Sequence, residues 1–379
     1  MSPYQRGNTC REGTRVPSTV LYFATGREIY PGKLLSRPLL SRGVCHERGS
    51  EAQMRDTRGM SIDSESREAV VAHQIATDLA EVVSAGALLV APYLRKVARS
   101  APEVGLKQDI HDPVTIHDRH VEGMLRAFLG AAVPGSRVLG EEMGEDVSPP
   151  EGPEFQECAE AADTLSSSVR ERVGGLGNRV RWIVDPIDGT ANFASGLTYF
   201  GTSIAAELDD EVVAGAISVP FNHELFVADA TDAWHFNEST GTRAPLRSKG
   251  PTQESEALIA TYYPGHYSLT RRPELTLAHE RDLMTHYSTV RRPGAGALDL
   301  AMVAAGWIGV SMGVRFKPWD VAAGIHMVKV AGGNVLNLKM GTEEPEGLRP
   351  GIVASVGTLR ATTAERILRE LEEALAAEG

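Results

Sequence analysis

The sequence predicts an α+β fold built as two packed halves. Strand-like segments at 201–207, 212–219 and 224–229 follow one another through short turns, which is typical of an antiparallel meander. Helical and strand-like segments are grouped in runs and do not alternate, which favours α+β layering over a doubly wound parallel sheet. A chain of 379 residues is long for one simple core. We therefore expect two subdomains.

The first 60 residues show neither helical nor strand periodicity, and we predict a disordered extension there. They carry 10 Lys and Arg against 5 Asp and Glu. A transit peptide is one interpretation, although the acidic residues are unfavourable for it. We favour an upstream start, with the folded protein beginning near Met60. The rest of the chain has 28 basic against 45 acidic residues, which disfavours a nucleic-acid-binding surface.

The first half, residues 61–255, is predicted to be α+β. Helical spacing of apolar residues predicts two helices before the meander, at 64–98 and 119–132. Short apolar runs predict two strands there, at 138–142 and 181–184. Residues 143–178 are rich in Pro and Glu and predict an inserted surface lobe with one helix at 154–173. This lobe could be a lid, but a solvated loop is favoured.

The second half, residues 256–379, is predicted to be a smaller α/β unit. Its expected strands lie at 258–261, 288–290 and 352–356, and its expected helices at 296–306 and 321–331. The pattern Thr362-x-x-Glu365 indicates a capping box that opens a last helix. Residues 231–255 are predicted to be a variable connection.

Cysteine usage and hydropathy indicate a cytoplasmic protein without a membrane anchor. The three cysteines are unpatterned, so neither a disulfide framework nor a zinc site is expected. The longest apolar stretch, 298–314, is broken by Asp299 and three glycines. It falls short of the roughly 20 apolar residues that span a bilayer.

Carboxylates collect at the predicted ends of strands and helices: Asp118, Glu141, Glu142, Asp185, Asp188 and Asp320. Crowded carboxylates repel one another unless cations lie between them. Gly189-Thr190 follows Asp188 as a tight turn into a helix, where backbone N–H groups can meet an anion. The set predicts a magnesium-assisted phosphoester site, whereas an Asp-x-x-Asp-Gly turn by itself is more often a solvated turn.

The spacing of the two central acids also bears on mechanism. Asp-x-Asp-Gly-Thr marks phosphatases that form an aspartyl phosphate, but Asp185 and Asp188 lie three residues apart. Direct hydrolysis by metal-activated water is therefore favoured over a covalent route.

Three blocks resemble the signatures of the inositol monophosphatase family, the lithium-sensitive, magnesium-dependent phosphatases. They are Gly140-Glu141-Glu142, residues 182–193 (WIVDPIDGTANF) and residues 318–324 (PWDVAAG). The resemblance extends to Asp112-x-x-Thr115-x-x-Asp118, to 294–300 and to 331–333, and covers roughly residues 66–375. It implies a layered α-β-α-β-α sandwich like that of sugar phosphatases, with a mainly antiparallel first sheet, and a homodimer.

The resemblance implies two or three Mg²⁺ ions bound in the first half with help from the second. Glu141, Asp185 and the carbonyl of Ile187 would hold one ion, and Asp185, Asp188 and Asp320 another. Asp185 could then bridge ions about 4 Å apart. We expect millimolar lithium to inhibit.

The resemblance also implies roles around the reacting water and the phosphate. Glu141 and Thr190, with Asp118 supporting Thr190, would orient and deprotonate the water. The N–H groups of Gly189 and Thr190 would hold the phosphate. Asp188 and Asp299 are expected on the substrate side. Alternatives remain: Asp118 as a helix N-cap, Glu142 as a solvated neighbour, and Asp299 as a polar residue on an exposed helix face.

Substrate recognition departs from the family pattern. Inositol-preferring relatives usually carry a glutamate seven residues before the last metal aspartate, and this chain has Gly313 there. Arg315 and Lys317 are consistent with a more anionic substrate, or are simply solvated. Lys107 is a candidate for a phosphate-facing role in a preceding loop, with a plain surface lysine as the favoured alternative.

The resulting hypothesis is a cytoplasmic, Mg²⁺-dependent phosphomonoesterase that acts on a small polar phosphate ester, with no nucleic-acid or membrane partner. Inositol monophosphate and histidinol phosphate are the first candidate substrates. A 3′-phosphoadenosine nucleotide or sugar-bisphosphate phosphatase, and a non-catalytic regulatory member of the family, remain as alternatives.

Overall fold

The computed structural model describes residues 64–100, 104–106, 113–145 and 147–377. The predicted extension at 1–60, Lys107 and Asp112 lie outside the described residues. The order of elements confirms a largely helical start, a strand-rich middle and a mixed second half.

The first half is built on a seven-stranded sheet. Its helices are α1 (Ser64–Val97), α2 (Ile116–Ala132), α3 (Pro153–Ala161), α4 (Ser167–Gly174) and α5 (Thr190–Ser195). Its strands are β1 (Val104–Leu106), β2 (Pro113–Thr115), β3 (Arg137–Gly140), β4 (Val180–Asp188), β5 (Gly201–Leu208), β6 (Glu211–Val219), β7 (Glu224–Ala228), β8 (Ala233–Asn237) and β9 (Thr242–Pro245). Strands β3 to β9 lie in chain order, β3 and β4 are parallel, and all the other neighbours are antiparallel. Strands β1 and β2 form a separate antiparallel pair.

The second half is built on a five-stranded sheet. Its strands are β10 (Leu258–Thr261), β11 (Thr289–Arg291), β12 (Val310–Gly313), β13 (Asn334–Leu338) and β14 (Gly351–Ser355). Its helices are α6 (His266–Arg271), α7 (Pro273–His286), α8 (Gly296–Ala304), α9 (Pro318–Val330) and α10 (Thr362–Ala376). The strand order is β11-β10-β12-β14-β13; β10 is parallel to both neighbours, and β14 is antiparallel to both of its own.

Three apolar cores alternate with the two sheets. The first lies between the seven-stranded sheet and the helices α1 and α2, and contains Leu79, Val83, Leu125, Phe128 and Trp182. The second lies between the sheets around α8 and α9, and contains Ile217, Leu298, Leu300, Val321 and Ile352. The third joins the five-stranded sheet to α7 and α10, and contains Ile259, Leu283, Val353, Ile367 and Leu368. The layers therefore run α-β-α-β-α, and the predicted fold class is confirmed.

The segment 143–178 differs from the predicted solvated loop with one helix. It forms two helices, α3 and α4, because the chain turns after Ala161 and Ser166 caps the second helix by accepting a hydrogen bond from Val169 N. Leu165 and Val173 are buried in the first core. This packing comes from apolar residues spaced along both helices. Their spacing is hard to recognise in the sequence because proline-rich segments flank them.

Several short elements were not predicted. Strands β8 and β9 lie in the stretch 231–255, and β12 lies inside the apolar run 298–314, where periodicity cannot separate a strand from the helix before it. The predicted capping box at Thr362 is wrong, since helix α10 begins after Ala361 and has no side-chain cap there. The neighbouring hydroxyl of Thr363 donates to Glu254 Oε2 at 2.7 Å.

One helix within the described residues is long and apolar enough to cross a membrane by length and composition, Glu68–Val97. Of the 18 consecutive residues that are most apolar on this helix, 67% are buried inside the protein. Leu79, Val83 and Leu94 on this helix are fully buried, and the core helix of a folded domain meets the same criterion.

Candidate active site

A cleft opens where strand β4 and the starts of α5, α8 and α9 meet. Its inner end is lined by Glu141, Asp185, Ile187, Asp188, Gly189, Thr190 and Asp320, which were all singled out from the sequence. The other lining residues, here called the outer end, follow β10 and β12 and include Tyr262, Tyr267, Arg271, Arg315, Phe316 and Lys317. The two groups differ in charge but adjoin each other, since Lys317 N donates to Asp320 Oδ2.

An irregularity in β4 brings its two acids to the same side. Side chains three residues apart on a regular strand point to opposite faces. The register with β5 shifts between Asp185 and Asp188, and Pro186 in that interval has no N–H to donate to the ladder. The Pro186 carbonyl instead accepts from Thr202 Oγ1 at 2.9 Å. The bulge thus allows both carboxylates to face the cleft.

Asp188 is held by the start of helix α8. Gly296 N donates to Asp188 Oδ1 at 2.9 Å, and Leu298 N donates to Oδ2 at 3.1 Å. Burial raises the pKa of Asp188 to about 7, and the hydrogen bond from Leu298 opposes that rise. Each carboxylate oxygen has a second lone pair, so these bonds leave Asp188 able to accept from another partner.

Asp185 lies deepest among the acids and is 2% exposed. Its Oδ1 accepts from Ile187 N at 3.0 Å. Burial, and then the charges of Glu141 and its other acidic neighbours, raise the pKa of Asp185 well above its ordinary value. After burial, the Glu141 carboxyl adds most to this rise. The cluster therefore favours the binding of a counter-charge.

A buried ion pair supports the turn that carries Glu141. Glu122 and Arg126 lie one helical turn apart on α2, and Arg126 Nε donates to Glu122 Oε1 at 2.9 Å. Glu122 Oε2 accepts from Glu142 N at 2.7 Å, and Arg126 Nη1 donates to the Val147 carbonyl at 2.8 Å. Arg126 also donates to the carbonyl of Gly144. This network was not predicted, because Glu and Arg four residues apart usually lie on a solvated helix face.

Asp118 and Thr190 meet as predicted from the resemblance. Thr190 Oγ1 lies 3.0 Å from Asp118 Oδ1 and 3.0 Å from the Ile187 carbonyl. The alternative role of Asp118 as N-cap is wrong, because helix α2 starts earlier and Thr115 caps it. Asp118 closes the capping box by accepting from Thr115 N at 2.8 Å.

Gly189 joins β4 to α5 in a conformation that favours glycine. Its φ is 89°, and an added Cβ would lie 3.1 Å from the carbonyl oxygens of both Gly294 and Tyr199. Asn192, on α5, joins the segments around this turn, since its Nδ2 donates to the carbonyls of Tyr199 at 2.7 Å and Pro293 at 2.8 Å. The turn at Gly189 is thus packed against the second half of the chain.

Asp320 and Asp299 come from the second half. Asp320 lies in the first turn of α9, where its Oδ2 accepts from the backbone N of the N-cap residue Lys317 at 2.7 Å. Asp299 is fully buried, so its predicted exposed alternative is wrong. Its Oδ1 accepts from the Tyr199 hydroxyl at 2.7 Å, and burial raises its pKa to about 7. Asp299 lies behind the cleft wall and is not among the lining residues.

The outer end of the cleft is aromatic and cationic. The guanidinium of Arg315 lies 4.2 Å from the ring centroid of Tyr267, and that of Arg271 lies 4.7 Å from it. The ring of Tyr262 packs edge-on against Phe316 with centroids 5.1 Å apart. Arg315 and Lys317 were singled out from the sequence. The aromatic residues were not, because the residues that they contact lie far from them along the chain.

The sequence profile of the Inositol monophosphatase family matches residues 71–376. The chain belongs to this family. An inositol-1-monophosphatase of Mycobacterium bovis is 34% identical over 233 residues, which are 62% of this chain and 71% of that protein. The Nus factor SuhB of Pasteurella multocida is 32% identical over 44% of this chain and 60% of its own length. The crystal structure of the extragenic suppressor protein SuhB of Bartonella henselae is 28% identical, with a TM-score of 0.53 over 81% of this chain and 96% of that one.

For this member of the inositol monophosphatase family, the donor set at the inner end fits a hard cation. Carboxylate and carbonyl oxygens are the ligands that Mg²⁺ prefers. Within the described part of the chain, no three acidic, histidine or cysteine side chains are already arranged to hold one ion together. Burial and the charges of the neighbouring acids Glu141, Asp188 and Asp320 nevertheless raise the pKa of Asp185, and a bound cation would lower that pKa again. The chemistry of the site fits the metal, and the assignment of each ligand stays a prediction.

Proposed function

We propose that the protein is a magnesium-dependent phosphomonoesterase that hydrolyses a small phosphate ester by direct attack of water. One observation carries the proposal: four carboxylates from separate parts of the chain line one cleft beside the hydrogen-bonded pair Thr190 and Asp118. The residues concerned are Glu141, Asp185, Asp188 and Asp320. Inositol monophosphate and histidinol phosphate remain the first candidate substrates. A homodimer and a cytoplasmic location stay predictions.

Glu141, Asp185, Asp188, Asp320 and the Ile187 carbonyl are the residues that would hold the magnesium. When bound, the metal would supply charge stabilisation for the attacking and leaving oxygens. The burial of Asp185 and Asp188, and the backbone hydrogen bonds to Asp188, keep these two acids in place before any substrate arrives.

The Thr190 hydroxyl orients the attacking water in this proposal. A hydroxyl has one proton to donate, and here its acceptors are Asp118 and the Ile187 carbonyl. Its lone pairs therefore face outward to accept a hydrogen bond from the water. Glu141, on the same wall of the cleft, takes the second proton as general base. The backbone N–H groups of Gly189 and Thr190 would hold the phosphate.

Phosphate release with Mg²⁺ and with a chelator tests the proposal. We expect hydrolysis of at least one ester by the full-length chain with Mg²⁺, and none with chelator. Asp185→Asn should lose activity by about 10³-fold or more, because the bridging charge is lost. The control Asp209→Asn removes an exposed acid that pairs with Arg179 far from the cleft, and should not change activity. Metal-independent hydrolysis, or equal activity of both variants, would contradict the proposal.

A second candidate function is non-catalytic, and the similarity to the Nus factor SuhB of Pasteurella multocida favours considering it. Under this hypothesis the fold is retained while a surface binds a partner. The same Asp185→Asn variant separates the two, since it should abolish hydrolysis and leave a surface interaction intact. A wild-type chain that hydrolyses no ester in the panel would favour the second function.

A further inference from the structure

Two arginines of the outer end stack on the same tyrosine. The guanidinium of Arg315, which follows β12, lies 4.2 Å from the ring centroid of Tyr267. That of Arg271, the last residue of α6, lies 4.7 Å from the same centroid. The two guanidinium carbon atoms are therefore no farther apart than the sum of these distances. Like charges at such a separation repel each other, and a bound anion would relieve the repulsion.

The Arg315 guanidinium keeps its hydrogen-bond donors available. Among the described residues it forms no salt bridge and no side-chain hydrogen bond, and its contact is with the Tyr267 ring. A guanidinium has five N–H donors in a planar fork that matches the oxygens of a carboxylate or a phosphate. The cation–π contact restrains the long side chain without using these donors. Arg315 is therefore held in place with its N–H groups ready for an anion.

The outer end concentrates positive charge in a protein that is acidic overall. The formal net charge of the chain is −12. Arg271, Arg315 and Lys317 nevertheless line one cleft, together with His266. A local cluster of cations attracts anionic ligands into a cleft even when the net charge has the opposite sign.

The arginine pair adjoins the part of the cleft where the phosphate would be held. Phe316, the residue after Arg315, packs against Gly296, since a Cβ added to that glycine would lie 2.7 Å from Phe316 Cε1. Gly296 N is also the group that donates to Asp188 Oδ1. A small substrate with its phosphate at the inner end can therefore extend toward Arg315.

The inner carboxylates also act on an anion at this place. Lys317 N donates to Asp320 Oδ2, so the cations and the acids are neighbours. Without metal, the acids would repel a second anionic group. With Mg²⁺ bound, as in the proposed function, the charge of the ion offsets theirs and the attraction of the arginines remains. We therefore expect the arginine pair to act on substrates of the metal-loaded protein.

We propose that Arg271 and Arg315, positioned by Tyr267, bind a second anionic group of the substrate, so that the protein prefers a phosphomonoester whose alcohol carries a carboxylate or another phosphate. The inference rests on the proposed phosphatase function and narrows its substrate class. The two arginines determine specificity by contact with the distal anionic group, and Tyr267 is a positioning residue.

Three phosphate esters of one six-carbon chain test the site: 6-hydroxyhexyl phosphate, 6-(phosphonooxy)hexanoate and hexane-1,6-diyl bisphosphate. All are primary alkyl esters, and they differ only in the distal hydroxyl, carboxylate or phosphate. The measured quantity is the kcat/KM of each charged ester, with Mg²⁺ at low salt, divided by that of the hydroxyhexyl ester. We expect a ratio of about ten for the bisphosphate, corrected for its two equivalent phosphates, which matches two exposed charge pairs.

The two charged esters distinguish the possible distal groups. A ratio above one for only one of them would identify that group, carboxylate or phosphate, as the ligand of the arginine pair. Ratios of one or less for both would overturn the proposal. Raising the salt concentration should lower the wild-type ratio, because the arginines are exposed.

The variants distinguish recognition of charge from packing. Arg271→Gln and Arg315→Gln should each lower the ratio about threefold, and the double variant should bring it close to one and make it independent of salt. Tyr267→Leu should lower the ratio about twofold by releasing the guanidinium groups, whereas Tyr267→Phe keeps the ring and should preserve the ratio.

Arg243→Gln is the matched control. Arg243 is an exposed arginine whose guanidinium lies 4.0 Å from the ring centroid of Trp234, and neither residue lines the cleft. The loss of this cation–π contact should leave the ratio unaltered. A fall equal to that of Arg315→Gln would show that the ratio responds to surface charge in general, and would overturn the proposal.

The outcomes separate this inference from the proposed function. Hydrolysis of all three esters with Mg²⁺, at a ratio that no Arg271 or Arg315 variant changes, would overturn the inference and leave the proposed function standing. Absence of hydrolysis of any ester by the wild-type chain, with and without Mg²⁺, would overturn both. Thermal unfolding of each variant checks that a lowered ratio does not come from an unfolded fraction.

Discussion

The inner and outer ends of the cleft are built by different means. At the inner end, Asp185, Asp188 and Asp320 each accept hydrogen bonds from backbone N–H groups. At the outer end, the ring of Phe316 and the guanidinium of Arg315 are placed by contacts with other rings. The difference lies in what positions the side chains: backbone N–H groups hold the acids, whereas contacts among side chains hold the aromatic and cationic residues.

The largest expected effect concerns the support of the inner end. Arg126→Met leaves Glu122 buried without its partner, and breaking a buried pair in this way costs about 3–5 kcal/mol of unfolding free energy. Denaturant unfolding measures the loss, and phosphate release should fall because the turn carrying Glu141 loosens.

The control for this experiment is Arg137→Met. Arg137 forms a largely exposed pair with Glu145 on the same side of the molecule, and such pairs contribute about 0–1 kcal/mol. Equal losses in the two variants would show that the inner end does not depend on the buried pair.

The second prediction addresses the Thr190 hydroxyl. Thr190→Val keeps the shape of the side chain and removes the donor to Asp118, so we expect kcat to fall by about 10²–10³-fold with little change in KM. Thr240→Val, at an exposed turn, is the matched control. A large rise in KM with kcat unchanged would instead place Thr190 at substrate binding.

The third prediction uses the raised pKa values at and behind the inner end. Buried Asp188 and Asp299 have pKa values of about 7, so the folded state binds protons that the unfolded state has released. Their favourable contribution is therefore present below the ordinary pKa near 4 and is lost as pH rises through 7. In chelator we expect stability to fall by about 2 kcal/mol or more between pH 5 and pH 8, since one pKa unit is worth about 1.4 kcal/mol.

Thermal unfolding at a series of pH values measures this loss. Added Mg²⁺ should raise stability most at pH 8, where the acids are charged. Asp188→Asn should flatten the dependence in chelator. A metal-free protein that becomes more stable toward pH 8 would contradict the raised pKa values.

The smallest expected effect is at the rim of the outer end. Arg315→Ala removes an exposed cation and its contact with Tyr267, together worth about 0.5–1 kcal/mol. For an ester with a second negative group, KM should rise about threefold at low salt and less at high salt. Arg291→Ala, an exposed arginine outside the lining residues, is the control. A salt-independent change would favour packing over charge as the cause.

Local patterns in the sequence were sufficient for the α+β class and for the position of the crowded acids, whereas the order of the layers and the roles of the acids followed from the resemblance to the family. Apolar periodicity marked α1 and the meander, and the bulged segment from Asp185 to Thr190 is continuous in the chain. The burial of Phe316 was not predicted, since it depends on contacts with Gly296 and Gly313, the latter at the end of a strand hidden in a longer apolar run. The burial of Glu122 and Arg126 was not predicted either, because it depends on contacts with the backbone of Glu142, Gly144 and Val147, which are distant along the chain.

The contacts of Asn192 and Asp188 have a consequence for folding. Asn192 donates to the Pro293 carbonyl, and Asp188 accepts from Gly296 N. Backbone groups of the second half therefore complete hydrogen bonds at the centre of the first half. Neither half can shape the phosphate turn alone. Under the proposed function, a chain in which only one half has folded would not hydrolyse esters, and the appearance of activity would report that both halves have docked.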